Sequence, residues 1–193
     1  MIGNALTQLA THLNRHLKQS FQLDEDIGLV SCLSDPDGNA VGRANNKILL
    51  MVVGLEKENA SASRPSLPDR GFAGATLHAS PLYLNINMLL TANFTGSNYS
   101  DALTLLSASI GFFQRHPVFS RQDLPELDAS IERLTLEMEN LSLQDTSHLW
   151  GMLNGHYQPS VLYKVRMICF NGRDISGRVH LTRSPQTDVG SRG

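Results

Sequence analysis

The seven histidines are the residues of this chain best suited by type to proton transfer or metal binding. His12 and His16 stand four apart, a spacing that puts two imidazoles on one helix face and could hold a metal with a third ligand. No third ligand stands close by in sequence, so the pair reads as the polar side of a helix. His148 and His156 bracket the single tryptophan, Trp150, in the stretch DTSHLWGMLNGHYQPSVLYKVRMI. Cysteine and carboxylate ligands are scarce around them, and Asp145 is placed to cap a helix. Asn45-Asn46-Lys47 resembles a guanine-binding motif but lacks its aspartate and any phosphate loop. The glycine-rich phosphate loops, HExxH and GxSxG do not occur. A Ser-His-Asp triad needs no fixed spacing, but nothing here points to one. We therefore expect no catalytic residue, no metal and no cofactor.

Ile2, Leu6, Leu9, Leu13 and Leu17 recur at helical spacing and predict a helix over residues 2–20 with one apolar stripe. IGLVSCL, 27–33, reads as an apolar strand, and SDPDGN, 34–39, as a turn. NKILLMVVGLEKE, 46–58, is apolar on both faces and predicts a central strand. Residues 59–81 are rich in Ser, Ala, Pro and Gly, without period, and read as a long loop. In PLYLNINMLLTANF the row Leu82, Leu84, Ile86, Met88 and Leu90 alternates with Tyr83, Asn85 and Asn87. That polar row is wet or meets another chain.

SDALTLLSASIGFFQRH, 100–116, predicts a second helix with Ser100 as its cap, stopped by Pro117. RLTLEMENLSL predicts a half-exposed strand carrying Leu134, Leu136 and Met138. A short helix capped by Asp145 should end at Gly155, anchored by a buried Trp150 and flanked by Tyr157 and Pro159. PSVLYKVRMICF predicts the last strand, with Tyr163 in the row of Val161, Val165, Met167 and Cys169, and Lys164 and Arg166 on the opposite face. Helices are too few for a doubly wound sheet. The fold class is α+β: one mainly antiparallel sheet with about three helices packed on one face.

At 193 residues, one domain over 1–170 with a polar, basic tail over 171–193 is expected, the tail disordered or ordered by a partner. A net charge of -2 argues against nucleic acid as the main partner. The charge is uneven, however. From Lys164 onward Lys164, Arg166, Arg173, Arg178, Arg183 and Arg192 face only Asp174 and Asp188. The stretch before it is acidic, with Asp123, Glu126, Asp128, Glu132, Glu137, Glu139 and Asp145. Opposite patches on one chain suit head-to-tail association. Cys32 and Cys169 sit in apolar runs and read as buried hydrophobes of a reducing compartment. No apolar run is long enough for a membrane span, and the N-terminus has no signal-peptide pattern. Synthesis in the cytoplasm is expected.

Taken in order and spacing, MIGNALTQLATHLNRHL, NKILLMVVGLEKE, PLYLNINMLLTANF, NYSDALTLLSASIGFFQRHPVF, LTLEMENLS and HLWGMLNGHYQPSVLYKVRM resemble a known family. The chain is similar to the N-terminal domain of the cap, or tail-terminator, proteins of extracellular contractile injection systems of the virulence-cassette and antifeeding-prophage type. The resemblance runs from Met1 to about Phe170. It implies a structural, non-enzymatic role: a homo-hexameric ring on the distal end of the inner tube, ending its growth and tying the inner tube protein to the sheath protein. It further implies assembly in the cytoplasm and residence in the particle. Under this reading the candidate interface comprises Arg64, Arg70, Tyr83, Asn85, Asn87, Lys164, Arg166, Arg173, Arg178 and Arg183, with the 59–81 loop and the tail reaching neighbouring chains. Trp150, Gly155, Tyr157, Pro159 and Tyr163 are the structural anchors. The alternatives are a monomeric adaptor or chaperone for such a particle and a small hydrolase with a non-sequential site.

Overall fold

The leucine stripe folds as α1, Ile2–Phe21. It ends where Gln22 turns left-handed and donates its N–H to the Lys18 carbonyl. The computed structural model describes residues 1–35, 37–58, 75–78, 82–94, 96–153, 156–169 and 175–179. After α1 come β1 (Gly28–Val30), β2 (Lys47–Lys57), β3 (Ala75–His78), β4 (Leu82–Asn93), α2 (Tyr99–Arg115), β5 (Val118–Ser120), β6 (Ile131–Glu139), α3 (Leu143–Met152), β7 (Ser160–Cys169) and β8 (Ile175–Val179). A six-stranded sheet runs β1-β2-β4-β7-β6-β5, and a two-stranded one pairs β3 with β8. Among the described strands only β1 and β2 are parallel. The α+β class holds.

Residues 48–51 of β2 and 88–90 of β4 are apolar on both faces, so both faces need cover there. On one, Leu9, Leu13 and Leu17 of α1 and Phe113 of α2 are buried against Ile48, Leu50, Ile86, Met88, Leu90 and Val165. Each such side chain contributes about 1.5–3 kcal/mol on burial. On the other, Leu49, Met51 and Leu89 pack with Ala44 and Trp150. Here the expectation of helices on one face is corrected: α3 lies opposite α1 and α2. The reason is topological. Parallel pairing of β1 with β2 demands a crossover, and that crossover, carrying Leu33, Val41 and Ala44, covers the second face together with α3.

Several local readings shift. Ser100 is not the cap of α2. A 3-10 turn, Gly96–Asn98, leads into that helix, and Asn98 occupies the cap position. α3 is capped by Ser142, with Asp145 inside the first turn as its reciprocal partner: the Asp145 N–H donates to Ser142 Oγ at 3.1 Å, and Ser142 Oγ–H donates to Asp145 Oδ2 at 2.6 Å. Ser142→Ala should lower stability by about 1 kcal/mol in urea unfolding; an unchanged midpoint would mean that Trp150 alone holds the helix. Cys32 is exposed rather than buried, because the chain has left the sheet at Ser31, past the end of β1. The side chain of Cys169 lies outside the described residues. Met138 is exposed, at the open end of β6. β3 and β8 are strands inside segments read as loop and tail; they pair with each other, Ala75 opposite Val179, which no local pattern reveals.

Candidate functional site

The outer face of the sheet changes character along β2. At Leu49 and Met51 it is apolar and covered by α3. The register then slips between Val52 and Gly54, and beyond that bulge the face is polar. One row across the strands reads Glu56, Asn85, Arg166, Thr135, and the next Gly54, Asn87, Lys164, Glu137. Gly54 is closely approached there: an added Cβ would stand 3.1 Å from Asn87 Nδ2. Asn87 Nδ2 donates to Glu56 Oε1 at 2.9 Å. Lys164 Nζ meets Glu139 Oε1 at 2.9 Å, and this bond raises the lysine pKa above its ordinary value. Arg166 Nε lies 3.7 Å from Glu58 Oε1, with its side chain 48% exposed. Asn85 is buried beneath this layer, and its Oδ1 has no hydrogen-bond partner among the described residues.

Of the ten interface candidates, Asn85, Asn87, Lys164 and Arg166 are thus brought onto one face, with Tyr83 in the same row of β4. The two cations do not form a basic patch. Glu56, Glu58, Glu137 and Glu139 surround them, because register brings in β2 and β6. Arg178 is placed in β8 opposite Thr76 by its backbone. Arg64, Arg70, Arg173 and Arg183 lie outside the described residues.

The anchors are built from the same strands. Trp150 is 3% exposed and meets Tyr157 edge-on at 6.0 Å. The Pro159 carbonyl accepts from the Ala92 N–H at 3.1 Å and from Thr91 Oγ1 at 3.2 Å, fixing the start of β7 on β4. Asn93 links that corner to the crossover. It accepts from Gln158 Nε2 at 2.7 Å and donates to the Ala44 carbonyl at 2.8 Å. Tyr163 faces the helices, edge-on to Phe113 at 5.5 Å, and burial pushes its phenol up to about 12. Gly155 lies outside the described residues.

A second grouping was not legible in the sequence. A groove of about 300 Å³ between α1, the end of α2 and β5 is lined by His12, Arg15, His16, Phe112, His116 and Asp123, among others. His16 stacks on Phe112 at 5.1 Å. Arg115 Nη2 lies 3.2 Å from His16 Nε2; a guanidinium only donates, so Nε2 accepts and the ring is neutral. Both His12 and His16 titrate below 6.5, chiefly through burial, then through Arg15 and Arg115 respectively. Among the described residues no three His, Cys, Asp or Glu are grouped to hold a metal ion. The lowered values make stability complete above pH 6.5 and diminishing as pH falls below it, because the unfolded chain binds more protons there. The melting temperature should therefore be lower at about pH 5.5 than at about pH 7.5, and His16→Gln should flatten that slope; equal slopes in both proteins would remove His16 from this account.

Residues 5–182 match the family described as the Pvc16 N-terminal domain. Among solved structures the chain is similar to the sheath/tube terminator of the PVC extracellular contractile injection system in its extended state, with a TM-score of 0.63 and 16% identity over 100% of this chain and 65% of that one. It is also similar to the tube-terminating cap of the anti-feeding prophage, with a TM-score of 0.55 and 16% identity over 93% of this chain and 59% of that one. The chain thus spans less than two thirds of the length of either. No curated protein matches the sequence.

Proposed function

The chain belongs to the Pvc16 N-terminal domain family, and from that premise we propose that it is a structural cap of a contractile injection system. In this reading copies of the chain form a ring, six by its resemblance to such caps, on the inner tube's distal end. The ring ends tube growth and ties the last layer of tube protein to the last layer of sheath protein. The observation that carries the reading is the agreement of fold with two tube-terminating chains over nearly all of this sequence. The site adds physical support. The exposed sheet face offers paired charges and amides, Asn87, Lys164 and Arg166, for contact with another protein, rather than a pocket for chemistry.

No helix of the described residues is long and apolar enough to cross a membrane. We place the chain in the injection particle after assembly in the cytoplasm, with no cofactor and no catalytic role. The 59–81 segment and the tail, with Arg64, Arg70, Arg173, Arg178 and Arg183, extend the contacts, the tail toward the sheath. Light scattering of the full chain, alone and with isolated tubes, tests the ring. A discrete mass near six copies, or six copies bound per tube end, is expected. A monomer that ignores tube ends would favour the adaptor.

A further inference from the structure

The two edges of the main sheet differ in a way the polar face does not explain. β2 runs from Lys47 to Lys57, but β1 accompanies only Ile48–Leu50. Across that pairing the Ile48 N–H donates to the Ile27 carbonyl at 2.8 Å. Strand alternation turns the N–H and C=O of Val52 to the same side, and no described strand stands there. Over β1 itself the edge is closed. Asn14 of α1 takes both backbone groups of Gly28, donating to its carbonyl at 2.8 Å and accepting from its N–H at 2.6 Å.

Where the chain departs at Ser31, a groove of about 480 Å³ opens beside the bare edge of β2. Val30, Cys32, Leu33, Met51, Val52 and Met152 are among its lining, which carries no charged side chain. Val52 is 41% and Met152 66% exposed. An unpaired strand edge beside an apolar slot fits an added strand with an apolar side chain on one face.

The opposite edge supplies such a strand. β5, Val118–Ser120, pairs with β6 on one side and with no described strand on the other; on that outer side the N–H and C=O of Val118 are the groups on offer, because the Ser120 N–H donates to Asp123 Oδ2 and its C=O accepts from the Asp123 and Leu124 N–H groups. Val118, opposite Thr135, is 47% exposed and projects on the outer face, the face of Met51 and Trp150. The flanking charges are opposite. Around β1, Lys18 and Lys47 offset Asp26 and Glu25, and Asp24, Asp35 and Asp37 against the exposed Arg43 leave that flank acidic. Around β5 stand Arg115, His116, Arg121 and, in the adjoining groove, Arg15, against Asp123, which is engaged by Ser120.

We infer that the ring closes edge to edge. β5 of one copy adds to the bare edge of β2 in the next, with Val118 entering the Cys32–Met51–Met152 groove and the basic flank meeting the acidic one. The contact is head-to-tail, so it repeats from copy to copy and closes as a ring where the rotation per copy is a whole fraction of a turn. This inference rests on the proposed ring and names the surfaces that form it.

Cys32 makes the groove its own reporter. Val118→Cys and Ser120→Cys, each in a Cys169→Ser chain, are oxidised at full length, alone and with isolated tubes. Both positions are exposed or half-exposed, so folding should persist. At least one should give a ladder of linked copies on a non-reducing gel, and the ladder should vanish when Cys32→Ser is added. Tyr99→Cys, 57% exposed on another surface, should give none. A discrete oligomer or occupied tube ends without any Cys32 link would overturn the edge pairing and leave the ring standing. A chain that neither self-associates nor binds tube ends would overturn both.

Discussion

Trp150→Ala should cost about 3–5 kcal/mol of folding stability, the range for deleting a buried aromatic side chain. Small domains hold about 5–15 kcal/mol in all, so this variant should be marginal near body temperature. The ten residues of α3 are too few to stay helical alone, and Trp150 is its only buried side chain. That ring covers Leu49, Met51 and Leu89, and the crossover residues Leu33 and Val41 pack into the same cluster. Its loss should therefore loosen the helix and crossover together. Because Trp150 is the only tryptophan, unfolding is followed by circular dichroism in urea. Trp150→Phe should keep most of the stability, since Nε1 has no hydrogen-bond partner to lose. A loss below about 1 kcal/mol for Trp150→Ala would mean that the second face is held by something else.

Asn14→Ala should be nearly as damaging, at about 2–4 kcal/mol, from a side chain that looks ordinary on a helix. Its carboxamide closes two buried hydrogen bonds to Gly28, and each buried backbone group left without a partner costs about 1–3 kcal/mol. Water entering at the β1 edge would reduce the cost, which sets the lower figure. Gly28 is also a fitted residue: an added Cβ would stand 3.1 Å from Asn14 Oδ1. Hydrogen exchange gives the local reading. The β1 amides should exchange far faster in Asn14→Ala while those of β4 and β7 change only with global stability. Uniform acceleration across all strands would show that Asn14 pins no particular element.

These two residues mark what the sequence makes legible. Trp150 could be read as an anchor because a large apolar ring on a short helix has few other uses. α1, β4, α2 and β7 were readable because each repeats its apolar period over ten or more residues, and β2 because its run is apolar without a period. Asn14 was not, because its partner Gly28 lies beyond the turn and a helix pattern treats it as one more polar position. β5, β3 and β8 are three to five residues long; their strand character comes from pairing across the chain, not from local period. The same limit applies to the site. The polar row of β4 and the cations of β7 were visible on their own strands. Only register showed that Glu56, Glu137 and Glu139 stand beside them, and only the packing of α1 on α2 brought His116 to His12 and His16.

The most direct measurement of the central claim is the length distribution of inner tubes assembled with and without this chain, read from electron micrographs. Tubes of one narrow length, with cap density at the end away from the baseplate, are expected when the chain is present, and long tubes of scattered length when it is withheld. Narrow, identical distributions in both preparations would contradict a terminator role.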